Sequence, residues 1–136
     1  LLEALWNMDE KAVAEGIDKA HREISILQYN NENALSCTIT LAFYFAREYY
    51  TIVRELPAGK GFADVCFVPR KMHIDKPAAM IELKWDKSAE GAIRQIREKH
   101  YIDALKGYHG NLLLVGINYE KDTKTHTCVI EQTNIE

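Results

Sequence analysis

Apolar residues recur along this chain with more than one period, and each change of period marks an element. Val13, Ile17, Ala20 and Ile24 fall at helical spacing. They follow Asn7-Met8-Asp9-Glu10, which has the form of a capping box with Asn7 as cap and Glu10 three residues on. This predicts a first amphipathic helix ending near Ile24. Tyr29-Asn30-Asn31 breaks the pattern, and Asn31 suits the cap of a second helix over about 32–48. In that helix Leu35, Ile39, Ala42, Phe43 and Ala46 form the main stripe, with Ala34, Leu41 and Phe45 beside it. A helix apolar over so much of its circumference packs against a sheet.

The period then shortens. Residues 50–56 (Tyr-Thr-Ile-Val-Arg-Glu-Leu) are rich in β-branched and aromatic types and read as a strand. A turn at 57–61 leads to a second strand over 62–68, so the two form a hairpin. After a polar loop at 70–77, residues 78–85 read as a third strand. Ser88 caps a further helix running to about residue 105, with Ala92, Ile93, Ile96, His100 or Tyr101, and Ala104 along one side. Lys106-Gly107-Tyr108-His109-Gly110 ends it. The unbroken apolar run 112–117 suits a central strand covered on both faces, and 125–130 forms a final strand after a charged turn. The order α-α-β-β-β-α-β-β describes one sheet with helices packed on it, a single α/β domain over 1–136.

Composition narrows the class. At 136 residues, 47% hydrophobic and 27% charged, the chain is an ordinary soluble domain. It has no apolar run long enough to span a membrane and no signal peptide. It starts at Leu1 rather than methionine and reads as a fragment of a longer protein. The formal net charge of −3 argues against a grip on nucleic acid over the whole surface, but leaves room for a local basic groove beside an acidic metal site. Cys37, Cys66 and Cys128 each sit in an apolar run as small core residues, which fits a reducing, cytoplasmic compartment. His21, His73, His100, His109 and His126 are scattered without ligand spacing to the cysteines, so zinc is not expected and these rings are read as surface or satisfied residues.

The third strand carries the candidate chemistry. Alternation points Ile81, Leu83 and Trp85 one way, and Glu82 and Lys84 the other. Alone, Glu-x-Lys describes an amphipathic strand with a solvated face. Asp64 changes that reading, because aspartate is disfavoured inside a strand and a buried carboxylate needs a cation or hydrogen-bond partner. A short connection lets Asp64 face Glu82 and Lys84 across the sheet, and a divalent ion would relieve the repulsion between the acids.

Gly61-Phe62-Ala63-Asp64 followed by Ile81-Glu82-Leu83-Lys84 resembles the D…(D/E)-x-K signature of the PD-(D/E)XK nuclease superfamily, with Ala63 where proline is usual. Gln95-Ile96-Arg97-Glu98-Lys99-His100-Tyr101 resembles its glutamine-and-tyrosine helix motif, and Tyr29-Asn30-Asn31-Glu32-Asn33 its glutamate-bearing first core helix. The resemblance covers about 29–130 and is closest to a nuclease-like domain found C-terminal to AAA-ATPase-like regions in bacterial proteins. It implies a restriction endonuclease-like core with a mixed sheet flanked by helices. It also implies metal-dependent hydrolysis of phosphodiester bonds in nucleic acid, DNA above all. Asp64, Glu82 and the backbone carbonyl of Leu83 would hold Mg²⁺ or Mn²⁺, with Glu32 reaching the ion through water. Lys84 would orient the attacking water and stabilise charge on the phosphate, and Gln95 and Tyr101 would position the site or touch the phosphate backbone.

Plainer roles stand beside these. Glu32 also suits the positive end of its helix, Tyr101 and Trp85 suit packing, and Trp85 could otherwise stack on a base. From Lys84 to Lys106 six basic residues (Lys84, Lys87, Arg94, Arg97, Lys99, Lys106) face four acids (Asp86, Glu90, Glu98, Asp103), which permits phosphate contacts. The resemblance implies an ATPase-like region of the parent chain as partner, and a homodimer suits nucleases that cut both strands. The alternative is a non-catalytic nucleic-acid-binding or regulatory module on the same fold, since a fold does not fix a function.

Overall fold

The computed structural model describes residues 1–23, 38–39, 42–58, 61–98 and 110–135, with the side chains of Glu23, 54–58, 61–64, Glu98 and Ile135 outside that description. Helix α1 spans Leu2–Trp6 and α2 spans Glu10–Glu23; strand β1 spans Tyr50–Ala58, β2 Gly61–Pro69 and β3 Ala78–Trp85. Helix α3 spans Ala89–Glu98, followed by β4 at Gly110–Glu120 and β5 at Thr125–Ile135. The five strands lie in sequence order in one sheet. Neighbours run antiparallel except β3 and β4, which are parallel and are joined by the crossover that contains α3. The sheet is therefore mixed, as expected. Among the described residues no helix is long and apolar enough to cross a membrane.

The strand alternation sorts side chains onto two faces. One face gathers Val65, Phe67, Ile81, Leu83, Val115, Ile117 and Tyr119 with Leu5 of α1 and Val13 and Ile17 of α2. The other gathers Cys66, Met80, Leu112 and Leu114 under Ile93 and Ile96 of α3. Fully burying each such aliphatic side chain contributes about 1.5–3 kcal/mol, so both helix layers are held mainly by apolar area. Cys66 and Cys128 are free thiols, and burial pushes both up to about 12, consistent with core residues.

The first helical segment differs from its expected form. Asn7 terminates the short helix α1, Met8 turns the chain at a φ of 56°, and Asp9 caps α2 by accepting from the Ala12 N–H at 3.1 Å. The capping box from Asn7 to Glu10 does not form, because the Glu10 carboxylate instead accepts the backbone N–H of Ile130 on β5 at 2.7 Å. Asp18 does the same for the N–H of His126 at 2.8 Å. Eight residues of helix advance about 12 Å and four residues of strand about 13 Å, so the two acids match two outward N–H groups of the edge strand.

Of the predicted second helix, residues 32–37 and 40–41 lie outside the described residues. Ile39, Phe43 and Ala46 are buried as expected, but Tyr44–Glu48 is a 3₁₀ turn and Phe45 is 79% exposed. A 3₁₀ turn has three residues per turn rather than 3.6, which turns Phe45 away from its expected place beside the main stripe. The loop 70–77 holds a second 3₁₀ turn at Lys71–His73.

Candidate active site

On β3 the predicted alternation holds residue by residue. Leu83 is 1% exposed and points into the core shared with α1 and α2, whereas Glu82 and Lys84 lie on the face covered by α3. Glu82 is only 3% exposed, so the Glu-x-Lys pair is not a solvated face. The carboxylate of Glu82 accepts from Gln95 Nε2 at 2.5 Å, and Gln95 Oε1 accepts from the Lys84 ammonium. Gln95 thus spans the two charged side chains of the strand from the helix above. An acceptor and a donor on one amide match a carboxylate and an ammonium, an arrangement no apolar residue could supply.

The site depends on how closely α3 approaches the sheet. A Cβ at Gly116 would stand 2.3 Å from the Ala89 carbonyl oxygen and 3.0 Å from the Ala92 Cβ. Gly116 is paired in register with Glu82, so the missing side chain lets the first turn of α3 rest on β4 beside the carboxylate. Ser88 caps the helix, its hydroxyl accepting from the Gly91 N–H at 2.9 Å, as its sequence position predicted.

Two further residues set the turn between β3 and α3. Asn118, paired with Lys84 and 1% exposed, accepts the Lys87 N–H on its side-chain oxygen at 3.0 Å. Asp86, at a φ of 52°, accepts the Lys121 N–H at 2.8 Å. Neither was singled out from the sequence. A signal was present for Gly116 and Asn118: a glycine inside a strand marks a close backbone approach, and the Asn118 side chain falls on the Glu82 face by alternation.

Other expected participants are placed differently. The backbone of Asp64 lies in β2 as expected, with its side chain outside the described residues, and Glu32 and Tyr101 lie wholly outside them. The described side chains include no group of three or more His, Cys, Asp or Glu able to hold a metal ion, and Asp64 is not among the side chains described. Trp85 packs against Tyr119, ring centroids 4.6 Å apart, which is the packing role. His126 is a satisfied residue: its Nδ1 and the Asp18 carboxylate lie 2.7 Å apart, and burial lowers its pKa against the opposing pull of Asp18.

A mixed five-stranded sheet with helices on it is the architecture of a restriction endonuclease-like domain. A sequence profile of the PD-(D/E)XK nuclease superfamily matches residues 30–128, and the chain belongs to that superfamily. Its members are generally nucleases and typically use divalent metal ions. No curated protein matches the sequence.

Proposed function

We propose that this domain hydrolyses phosphodiester bonds of nucleic acid, with DNA as the substrate, in a reaction dependent on Mg²⁺ or Mn²⁺. The observation that carries the reading is the buried Glu82 carboxylate tied through Gln95 to the Lys84 ammonium. That arrangement places charge where the same area of apolar side chain would stabilise the fold more.

Asp64 is the second acid in this reading. Val65 pairs with Ile81 and Cys66 with Met80, and one further step of that ladder would set position 64 opposite Glu82. Directly opposed residues of an antiparallel pair share a face. Two carboxylates and the backbone carbonyl of Leu83 form an all-oxygen donor set suited to a hard divalent ion, with Glu32 contributing through water. When bound, such an ion polarises the scissile phosphate and lowers the pKa of a water at the site.

The chain's own groups divide the remaining work. Lys84 directs its ammonium at the phosphate oxygens, where negative charge develops, and orients the attacking water. Gln95 fixes the rotamers of Glu82 and Lys84, so neither has to be ordered when substrate arrives. The finer setting belongs to the same proposal: a cytoplasmic enzyme of a bacterial protein, acting beside an AAA-ATPase-like region of its parent chain, with a homodimer to cut both strands.

The test is cleavage of supercoiled plasmid, linear duplex, single-stranded DNA and RNA with Mg²⁺ or Mn²⁺, beside a Lys84→Ala protein prepared identically. Ion-dependent cutting that disappears in the variant is expected. Equal cutting by both proteins, or none by either, would overturn hydrolysis and favour a binding module on the nuclease fold.

A further inference from the structure

The end of the sheet away from Glu82 carries a second concentration of exposed chemistry. Tyr44 and Phe45 are 53% and 79% exposed, with rings edge to face 5.6 Å apart. The Arg47 guanidinium stands 5.5 Å from the centre of the Tyr44 ring. Arg70 donates from Nε to the Arg47 carbonyl at 3.0 Å, which engages one of its five N–H donors. These four residues and Glu48 line a cavity of about 350 Å³. Lys71 and the exposed Met72 follow Arg70 in the chain.

Two features select the occupant. Among the lining residues Arg47 and Arg70 are two cations against the single acid Glu48, within a chain whose formal net charge is −3. The patch is therefore locally matched to a polyanion although the chain as a whole is not. The cations are also interleaved with aromatic rings that no described core residue covers, which is how proteins hold strands whose base faces are free. A duplex buries those faces in its own stack.

We propose that Tyr44, Phe45, Arg47 and Arg70 form a stacking subsite for an unpaired nucleic-acid strand. Phe45 stacks on a base, while Arg47, held over the Tyr44 ring, and Arg70 engage the phosphates on either side. The subsite lies near the start of β3, and Lys84 lies six residues along that strand, about 20 Å away at about 3.3 Å per residue. It therefore grips a strand away from the Glu82 site. Binding there needs neither the ion nor bond cleavage, so this inference stands apart from the hydrolytic reading.

The experiment is fluorescence anisotropy of a labelled oligothymidine of about twelve nucleotides, within the span a single binding fold covers, in EDTA and about 50 mM salt. Salt-sensitive binding is expected, weakened about tenfold in Phe45→Ala and in Arg70→Ala and restored in Phe45→Trp. A duplex of the same length should bind more weakly. Both side chains are at the surface, and matching circular dichroism spectra and melting temperatures would confirm that the variants fold. Unaltered binding in Phe45→Ala and Arg70→Ala, or no binding by the wild type, would overturn the assignment. Sedimentation of the wild type as a dimer and of Phe45→Ala as a monomer, with no strand bound, would assign the patch to a second copy of the chain instead. Strand binding lost in Phe45→Ala with no cleavage by any form would leave this subsite standing and remove only the hydrolytic reading.

Discussion

The two faces of the sheet use the same strands for different ends. Facing α1 and α2, alternate positions of β3 and β4 are apolar along their length: Ala79, Ile81 and Leu83 beside Leu113, Val115 and Ile117. Facing α3, the same strands begin with Ala78, Met80, Leu112 and Leu114 and then change to Glu82, Lys84, Gly116 and Asn118. Packing is thus complete on one face and stops halfway along the other, where α3 covers polar groups it must satisfy. The polar half is the less favourable arrangement for stability, and the proposed catalytic role of Glu82 and Lys84 is what accounts for it.

The contrast is tested most strongly by separating activity from stability. Glu82→Gln and Lys84→Ala should each lower DNA cleavage by about a hundredfold or more, while Glu82→Gln keeps or raises the melting temperature, because a buried amide is cheaper to desolvate than a carboxylate. If Glu82→Gln failed to unfold cooperatively, the polar face would be holding the fold and the contrast would collapse. Leu83→Ala, one residue along and on the opposite face, should cost about 2–5 kcal/mol in urea unfolding with cleavage per folded molecule retained. Gln95→Ala should lower cleavage about tenfold, as expected of a group that aligns others, and cost about 1–3 kcal/mol in urea unfolding, because the buried Glu82 carboxylate loses the Gln95 donor. Gly116→Val joins the two properties: overpacking against Ala89 should cost about 1–3 kcal/mol and lift α3, so cleavage falls with it.

The smallest effect is acid sensitivity on the packed face. Burial holds the His126 pKa below its ordinary 6.5, and that of His21 is lowered for the same reason. As pH falls through about 6.5 the unfolded chain takes up protons that the folded chain resists, so stability present at neutral pH declines on acidification. Urea midpoints measured between about pH 7 and pH 5.5 should fall, and His126→Gln should flatten the slope.

Much of this was legible in residue order. Strand β3 has the predicted bounds, the hairpin follows from turn chemistry and the helix after β3 from the change of period, and Glu82 and Lys84 share a face because alternation requires it. Contacts between distant segments were not legible. Nothing local in Asp9 favours it over Asn7 as the cap; the choice depends on Glu10 being drawn to β5, 120 residues away in sequence. Likewise Phe45 reads as flanking an apolar stripe until the helix tightens at Tyr44–Glu48. The bridge through Gln95 required knowing the height of α3 above the sheet, which Gly116 sets from a different strand.

The carboxylates of Glu10 and Asp18 have a bearing on how the domain is handled as well as how it folds. An edge strand with bare N–H groups is a template for strand addition by another chain, and here a helix that precedes the matched span of 30–128 occupies two of those donors. Trimming the polypeptide to the matched span would keep the candidate catalytic residues, cut β5 after Cys128 and leave the His126 N–H without its Asp18 acceptor. Soluble preparations, crystal design and fusion junctions are therefore better drawn with α2 included, because this helix acts as a selvedge that keeps the weave from being extended by a stranger's thread.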